Sequence, residues 1–254
     1  MPGFMAGAAR SEQVDLGVWA FLVLAGEERI LFDGGLVDDS DITHRFVEQS
    51  LGPTFGYTGA DETAVKEALA SNGLAPADID VYVVSHLHHD HAGALGWLPR
   101  AKVWVHTDEI RVLDSPYVKN LIPDWQVTPG TRRALDGLVS DDRLVSWDGE
   151  RVELCDGVTL FRVGGHTKGS VALVGQVEPD WRVGLLGDLI LTELQLVEGA
   201  VPATALDAYE TIRSVAVLVE SADELWPGHA VDGSVLSSKV AGSWPAVVEW
   251  RKDD

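Results

Sequence analysis

The chain has one cysteine, Cys155, in 254 residues. A single cysteine can form no intrachain disulfide and no thiolate-rich metal site. Basic residues are also scarce: 19 Lys and Arg stand against 40 Asp and Glu, for a formal charge of −21. Nucleic-acid phosphates are bound by clustered Lys and Arg, and the sequence has no basic run, which argues against a nucleic-acid partner. The acidity reads as a solvated surface, with adaptation to high salt as the alternative. Long apolar runs are missing too. "VWAFLVLA" at 18–25 is among the longest, and it is too short to cross a bilayer. The opening "MPGFMAGAARSEQ" lacks the basic start and apolar core of a signal peptide. These absences predict a soluble cytoplasmic protein with a reduced thiol and no membrane partner.

What is present suits one sizeable globular domain over residues 1–254, with 46% apolar residues to build its core. "VDLGVWAFLVLA" and "RILFDGG" predict two strands, and residues 36–60 a polar loop. "DETAVKEALASNGL" predicts a helix with Asp61 as cap and Gly73 as stop. "PADIDVYVVS" and "AKVWVH" predict strands, and "TDEIRVLD" a short helix. Residues 115–141, with Pro116, Pro123, Pro129 and Gly130, read either as an irregular loop of the length that often binds ligands or as a stretch that holds a short helix. Successive strands follow in "RLVSW", "RVELCDG", "VTLFRVGG", "SVALVGQ" and "WRVGLLGD". "ATALDAYETIRSVAVLVES" is the one long helix, with Leu206, Tyr209, Ile212, Val215, Ala216 and Val219 along one side. "DELWPGH" is a last short strand. The mixture predicts an α/β chain with much antiparallel sheet.

The chemistry is concentrated in "VVSHLHHDHAG", residues 83–93, with four histidines and an aspartate in six positions. Extended backbone alternates its side chains, so His86 and His88 point the same way and can grip one metal. A turn after His88 sends Asp90 and His91 toward a neighbouring point, and Ala92 and Gly93 let backbone pass close by. Three more candidates each follow a short strand beside glycine: His166 in "VGGHTKGS", Asp188 in "LLGDLI" and His229 in "WPGHAVDG". Seven ligands result. Five imidazoles and two carboxylates suit Zn²⁺ foremost, and also Mn²⁺, Fe or Co²⁺. Two divalent ions, two aspartates and one shared hydroxide leave a net charge of about +1, which favours a transition state gaining negative charge. Such a pair, at roughly 3.5–4 Å, has a nucleophile ready near neutral pH.

This pattern resembles the signature of the metallo-β-lactamase superfamily. "SHLHHDHAG" matches its HxHxDH motif. "GGHTKGS", "LLGDL" and "WPGH" match in order and spacing, and "LFDGG" at 31–35 resembles its early Asp-x-Gly. The resemblance covers about residues 15–232. It implies a four-layer αβ/βα sandwich with a dinuclear site at one edge of two sheets. It also implies that His86, His88 and His166 hold one metal, that Asp90, His91 and His229 hold the other, and that Asp188 bridges them. The spacing and the "GGHTKGS" loop look most like the N-acyl-homoserine lactonase branch. Those lactonases often carry a tyrosine three residues after the bridging aspartate; here that position is Leu191.

The expected activity is hydrolysis of a lactone or related ester, a small-molecule substrate. The metal-bridging hydroxide attacks the carbonyl while one metal polarises its oxygen, and Asp90 or the other metal assists the leaving alkoxide. Competing readings are thioester hydrolysis of the glyoxalase II kind, β-lactam hydrolysis, phosphodiester cleavage, an iron-dependent redox member and a non-catalytic relative. Tyr57, Tyr117, Trp125 and Leu191 are candidates for the substrate pocket, and His44 is placed near its entrance. Asp33 is expected to orient a ligand histidine or the backbone. His89 is read as a supporting or surface residue, His106 as a satisfied structural histidine, and Lys168 as an exposed lysine.

Overall fold

The computed structural model describes residues 16–37, 62–114, 126–193, 195, 200–202, 204–230, 236–237 and 247–250. In chain order its elements are strands β1 (Phe21–Ala25) and β2 (Glu28–Phe32), helix α1 (Glu62–Ser71), strands β3 (Val81–Val83) and β4 (Lys102–His106), and helices α2 (Thr107–Asp114) and α3 (Pro129–Ser140). Strands β5 (Leu144–Trp147), β6 (Arg151–Cys155), β7 (Val158–Arg162), β8 (Val171–Glu178) and β9 (Trp181–Leu185) follow. Helix α4 (Ala208–Ser221) precedes β10 (Glu224–Trp226), β11 (Leu236–Ser237) and β12 (Val247–Trp250). The chain divides into two compact units. The N-terminal unit holds residues 18–21 and 28–146. Among the described residues, the C-terminal unit holds 16–17, 22–27 and those from 147 onward.

In the N-terminal unit the strand order is β2-β3-β4-β5, and β2, β3 and β4 run parallel. Parallel strands are covered on both faces, and Ile30, Leu31, Phe32, Val83 and Val84 are all buried. Phe32 lies opposite Val83, and Val83 opposite Trp104. The carboxyl ends therefore coincide, and the segments after β2 and β3 leave from one edge, the usual place for function in such sheets. Helix α1 stops where expected. The Leu74 N–H donates to the Leu69 carbonyl and the Gly73 N–H to the Ala70 carbonyl, with Gly73 at φ +72. This double bond pattern closes a helix through a left-handed residue. Asp61 lies outside the described residues.

One sequence expectation needs correction here. "PADIDVYVVS" gives a strand only over Val81–Val83, because Pro76–Asp78 form a 3-10 turn in which the Asp78 carboxylate accepts the Ala75 N–H at 2.7 Å. Within residues 115–141 the helical alternative is the one realised, as α3 over Pro129–Ser140. Thr128 caps it by accepting the Thr131 N–H at 3.0 Å. Pro129 opens its first turn, where a missing N–H costs nothing.

In the C-terminal unit β6, β7, β8 and β9 form an antiparallel meander, as the hairpin pattern predicts. β10 pairs parallel to β9, and β11 antiparallel to β10. Beyond the last strand expected from sequence, the β12 backbone runs parallel to β1, with Leu22 opposite Val247. Val163, Ala172, Val174, Leu186, Leu189 and Leu218 are among the residues of the core that α4 covers. Glu224 is buried at the head of β10, where Trp181 Nε1 and Trp226 Nε1 donate to its two oxygens at 3.3 and 3.0 Å. Burial pushes its carboxyl above the ordinary value, and the two indoles offset part of that.

Helix α4 starts at Asp207, whose carboxylate accepts the Glu210 N–H at 3.0 Å. Its apolar side is not its buried side. Leu206 is 81% and Tyr209 88% exposed, and Ile212 and Val219 are also exposed. The helix instead docks through Thr211, Ser214 and Leu218. Thr211 donates to the Asp207 carbonyl and Ser214 to the Gly164 carbonyl. Hydroxyls that satisfy backbone acceptors can be buried without the penalty that an apolar-period reading assumes.

Candidate metal centre

Each unit holds a group of ligand-type side chains of its own, and the backbone of each group is fixed by neighbours within that unit. In the N-terminal unit the sequence expectation for Asp33 is realised in detail. Asp33 leaves β2 in a left-handed conformation, φ +59. Its Oδ1 accepts the Ser85 N–H at 2.8 Å, and its Oδ2 lies 2.8 Å from His91 Nδ1. With Nδ1–H donated to the carboxylate, Nε2 of His91 is the nitrogen left with a lone pair, the tautomer that ligates metal. Ser85 Oγ lies 3.0 Å from His86 Nδ1. Tyr82, fully buried, donates its hydroxyl to the His91 carbonyl at 2.7 Å. Burial, reinforced by the charge of Asp33, holds the phenol pKa well above its usual value, so it remains a donor.

The imidazoles of His86 and His88 sit with ring centroids 4.4 Å apart, and those of His86 and His91 are 4.3 Å apart. His86 and His91 are buried, and His88 and Asp90 are partly exposed. His89 is buried instead of lying on the surface, and its carbonyl accepts the Val37 N–H at 2.8 Å. The close passage expected at Gly93 is found: a β-carbon there would collide with the carbonyl oxygens of Gly34, Gly35 and Leu36.

In the C-terminal unit Leu185 of β9 lies opposite Trp226 of β10. Both strands therefore end at one edge, which brings Asp188 and His229 together. The Gly228 and His229 N–H groups donate to the Ile190 and Leu191 carbonyls at 2.9 and 2.8 Å. Asp188 turns one oxygen to each neighbour: Oδ2 lies 3.3 Å from His166 Nε2, and Oδ1 lies 2.9 Å from His229 Nε2. His229 Nδ1 is 2.5 Å from the Gly17 carbonyl, which can only accept, so here too Nε2 carries the lone pair. Sequence reasoning missed Gly17. Nothing in "VDLGVW" signals that one carbonyl would orient a histidine more than two hundred residues away.

His166 is set by the 164–170 loop. The Thr167 N–H donates to Ser170 Oγ, and the Gly165 carbonyl accepts from both Leu206 and Asp207 N–H. Gly165 has φ +130, and a β-carbon there would strike Thr211 of α4. Gly165→Ala is therefore expected to cost more than the roughly 1–2 kcal/mol of a left-handed residue alone, and to misplace His166. Urea unfolding together with metal titration checks both. A variant as stable as wild type, with unchanged affinity, would contradict this account.

Of the other candidates, Leu191 is 2% exposed, so an incoming ring meets almost none of it in this conformation. Its N–H donates to Gln195 Oε1 at 2.5 Å. His106 is buried, and its Nδ1 accepts the Asp108 N–H at 3.2 Å. Lys168 is exposed. His44, Tyr57, Tyr117 and Trp125 lie outside the described residues. A second contact missed in the sequence is that of Glu109, whose Oε2 accepts the Leu87 N–H at 3.2 Å.

His86, His88, Asp90, His91, His166, Asp188 and His229 all fall in His/Asp groups able to hold a divalent ion. Imidazole nitrogens joined by carboxylate oxygens are the donor set for such an ion. An α/β chain with these groups at its strand ends belongs to a known class of metal-binding folds. Residues 14–229 match the model of the metallo-β-lactamase superfamily. The chain is a member of that superfamily and has its fold.

Among curated relatives, the chain is 32% identical over 193 residues to the N-acyl homoserine lactonase AiiB of Agrobacterium fabrum, covering 72% of this chain and 66% of that protein. The match thus spans slightly under two thirds of that relative's length. An N-acyl homoserine lactonase of a Bacillus species is 27% identical over 217 residues, covering 82% and 78%. Among solved structures, an N-acyl homoserine lactone hydrolase with N-hexanoyl-L-homoserine at its catalytic metal centre superposes with a TM-score of 0.69 at 21% identity, covering 90% of this chain and 87% of that one. AidC, described as a dizinc quorum-quenching lactonase, superposes with a TM-score of 0.58 at 16% identity, covering 87% and 76%. Among the described residues no helix is long and apolar enough to cross a membrane.

Proposed function

We propose that the chain is a metal-dependent hydrolase of lactones or related esters, with two divalent ions, Zn²⁺ foremost. His86, His88 and His166 would hold one ion and Asp90, His91 and His229 the other, with Asp188 shared. The observation that carries this reading is the orientation of Asp188, one oxygen toward His166 and the other toward His229. A carboxylate divided in this way suits a bridging role. The lactonase names of the relatives support the substrate class.

When bound, divalent ions supply a nucleophile from water near neutral pH and Lewis-acid polarisation of the carbonyl. The protein's own groups hold the geometry. Asp33 and Gly17 fix the tautomers of His91 and His229, and Tyr82 holds the His91 backbone. Addition of hydroxide to the acyl carbon is followed by cleavage of the ring C–O bond. Asp90, the most exposed carboxylate of the group, would take up the proton lost by the attacking water and pass it to the departing alkoxide. The products are a carboxylate and an alcohol on one open chain.

The test is a hydrolysis panel of lactones, thioesters, β-lactams and phosphodiesters, with Zn²⁺, Mn²⁺, Co²⁺ and Fe²⁺ supplied in turn. Lactone turnover leading the panel is expected; a lead for any other class overturns the substrate reading. Within that panel, acyl-homoserine lactones are expected to react slowly. Leu191 leaves the carbonyl without a phenol donor, and one such donor is worth about 2.7–4 kcal/mol, or roughly 100- to 1000-fold in rate. A wild-type kcat/KM above about 10⁴ M⁻¹s⁻¹, unaffected by Tyr57→Phe or Tyr117→Phe, would contradict that expectation. Leu191→Tyr must also displace buried neighbours, so its gain in rate is read beside its stability.

A further inference from the structure

We propose that Glu109 is a positioning residue for the His86–His88 pair; the inference rests on the metal-centre reading above. Leu87 is the residue between those two histidines. Its N–H donates to Glu109 Oε2 at 3.2 Å, from a side chain that is 7% exposed in the first turn of α2. The contact joins residues 22 apart in sequence.

A buried carboxylate is costly unless hydrogen-bonded and favourably placed. Two features counter that cost here: the Leu87 N–H, and the N-terminal end of α2, where the helix dipole favours negative charge. The bond acts on the histidines through the chain. It fixes the peptide that joins His86 to Leu87, and so limits the torsions that aim both imidazoles. Those rings stand 4.4 Å apart at 77°. Neither ring nitrogen of His86 or His88 is required to touch Glu109 for this effect. Asp33 acts differently, since it bonds the His91 ring itself. Tyr82 holds the far end of the same segment at the His91 carbonyl. Glu109 and Tyr82 thus pin the backbone of the HxHxDH loop at two points, one through a donor and one through an acceptor.

The test compares Glu109→Ala, Glu109→Gln and Glu109→Asp with wild type. Three quantities are read: affinity for Zn²⁺ by competition with a chromogenic chelator, the Co²⁺ absorption spectrum, and the melting temperature of the metal-free protein. Removing an outer partner of this kind typically lowers metal affinity about 10- to 100-fold. Glu109→Ala is expected to show that loss with an altered Co²⁺ spectrum. Glu109→Gln keeps an acceptor oxygen at the same reach and should stay close to wild type. Glu109→Asp keeps the charge but loses the reach, and should resemble the alanine variant. Should the alanine variant fail to fold, the Gln and Asp pair decides. Wild-type affinity and spectrum in Glu109→Ala would overturn the proposal, as would a Gln variant that binds no more tightly than the Asp variant. Wild-type protein that binds neither Zn²⁺ nor Co²⁺ would instead sink the metal-centre reading itself.

Discussion

Stripping the protein of its metals is expected to lower its melting temperature by roughly 15 °C or more. An ion held at about 1,000 times its Kd stabilises the folded state by about 4 kcal/mol, and two ions are proposed. For a chain of this size 1 kcal/mol moves the transition by about 2–4 °C. The ligands come from positions as far apart as His86 and His229, so the unfolded chain offers no comparable site. Elemental analysis of the protein before and after chelation, followed by calorimetry, checks both halves of the statement. Two ions per chain are expected. One ion or none in active protein would end the dinuclear account, and an unchanged transition after verified removal would end the coupling.

Asp188→Ala should have the largest catalytic effect. It removes the carboxylate that faces His166 with one oxygen and His229 with the other. Both ions are expected to weaken together, and lactone turnover to fall by more than about 10³-fold, equivalent to roughly 4 kcal/mol of barrier. Loss of a single ion with the other retained at wild-type affinity would assign Asp188 to one site only. Full turnover in a folded, metal-free variant would remove metal from the reaction altogether.

The side chains proposed as ligands stood out in the sequence because their signals are local. HxHxDH packs four of the seven positions into six residues, and the other three follow short strands beside glycine. Strands β1 to β10 were legible for a related reason, since β-branched runs carry their own limits, whereas β11, β12 and the parallel pairing of β2, β3 and β4 depend on partners distant in sequence. Helix α3 stayed one of two readings because Pro129 and Gly130 look like loop residues, although proline belongs naturally in a first turn. The orientation of α4 was hidden because its buried side is made with Thr211 and Ser214, whose hydroxyls are bonded to carbonyls. Of the apolar side that periodicity picks out, Val215 packs on the core while Leu206, Tyr209, Ile212 and Val219 are exposed. Glu109 was hidden because a carboxylate in a short acidic helix looks solvated until its partner, an amide 22 residues earlier, is known. Tyr82 and Gly17 share that difficulty, since each acts on a backbone or ring atom that composition does not reveal.

The tie between Gly17 and His229 also sets a schedule for making the protein. The two residues exchange a backbone bond, Gly17 N–H to the His229 carbonyl at 3.1 Å, beside the ring contact, and they lie 212 positions apart. At translation speeds of about 5–20 residues per second, roughly 10–40 s separate their synthesis. Through that interval the Gly17 backbone waits for this partner. Closing so long a loop is among the slowest steps a chain takes, and the contact that orients the His229 ring therefore forms only after every residue between the two has been made.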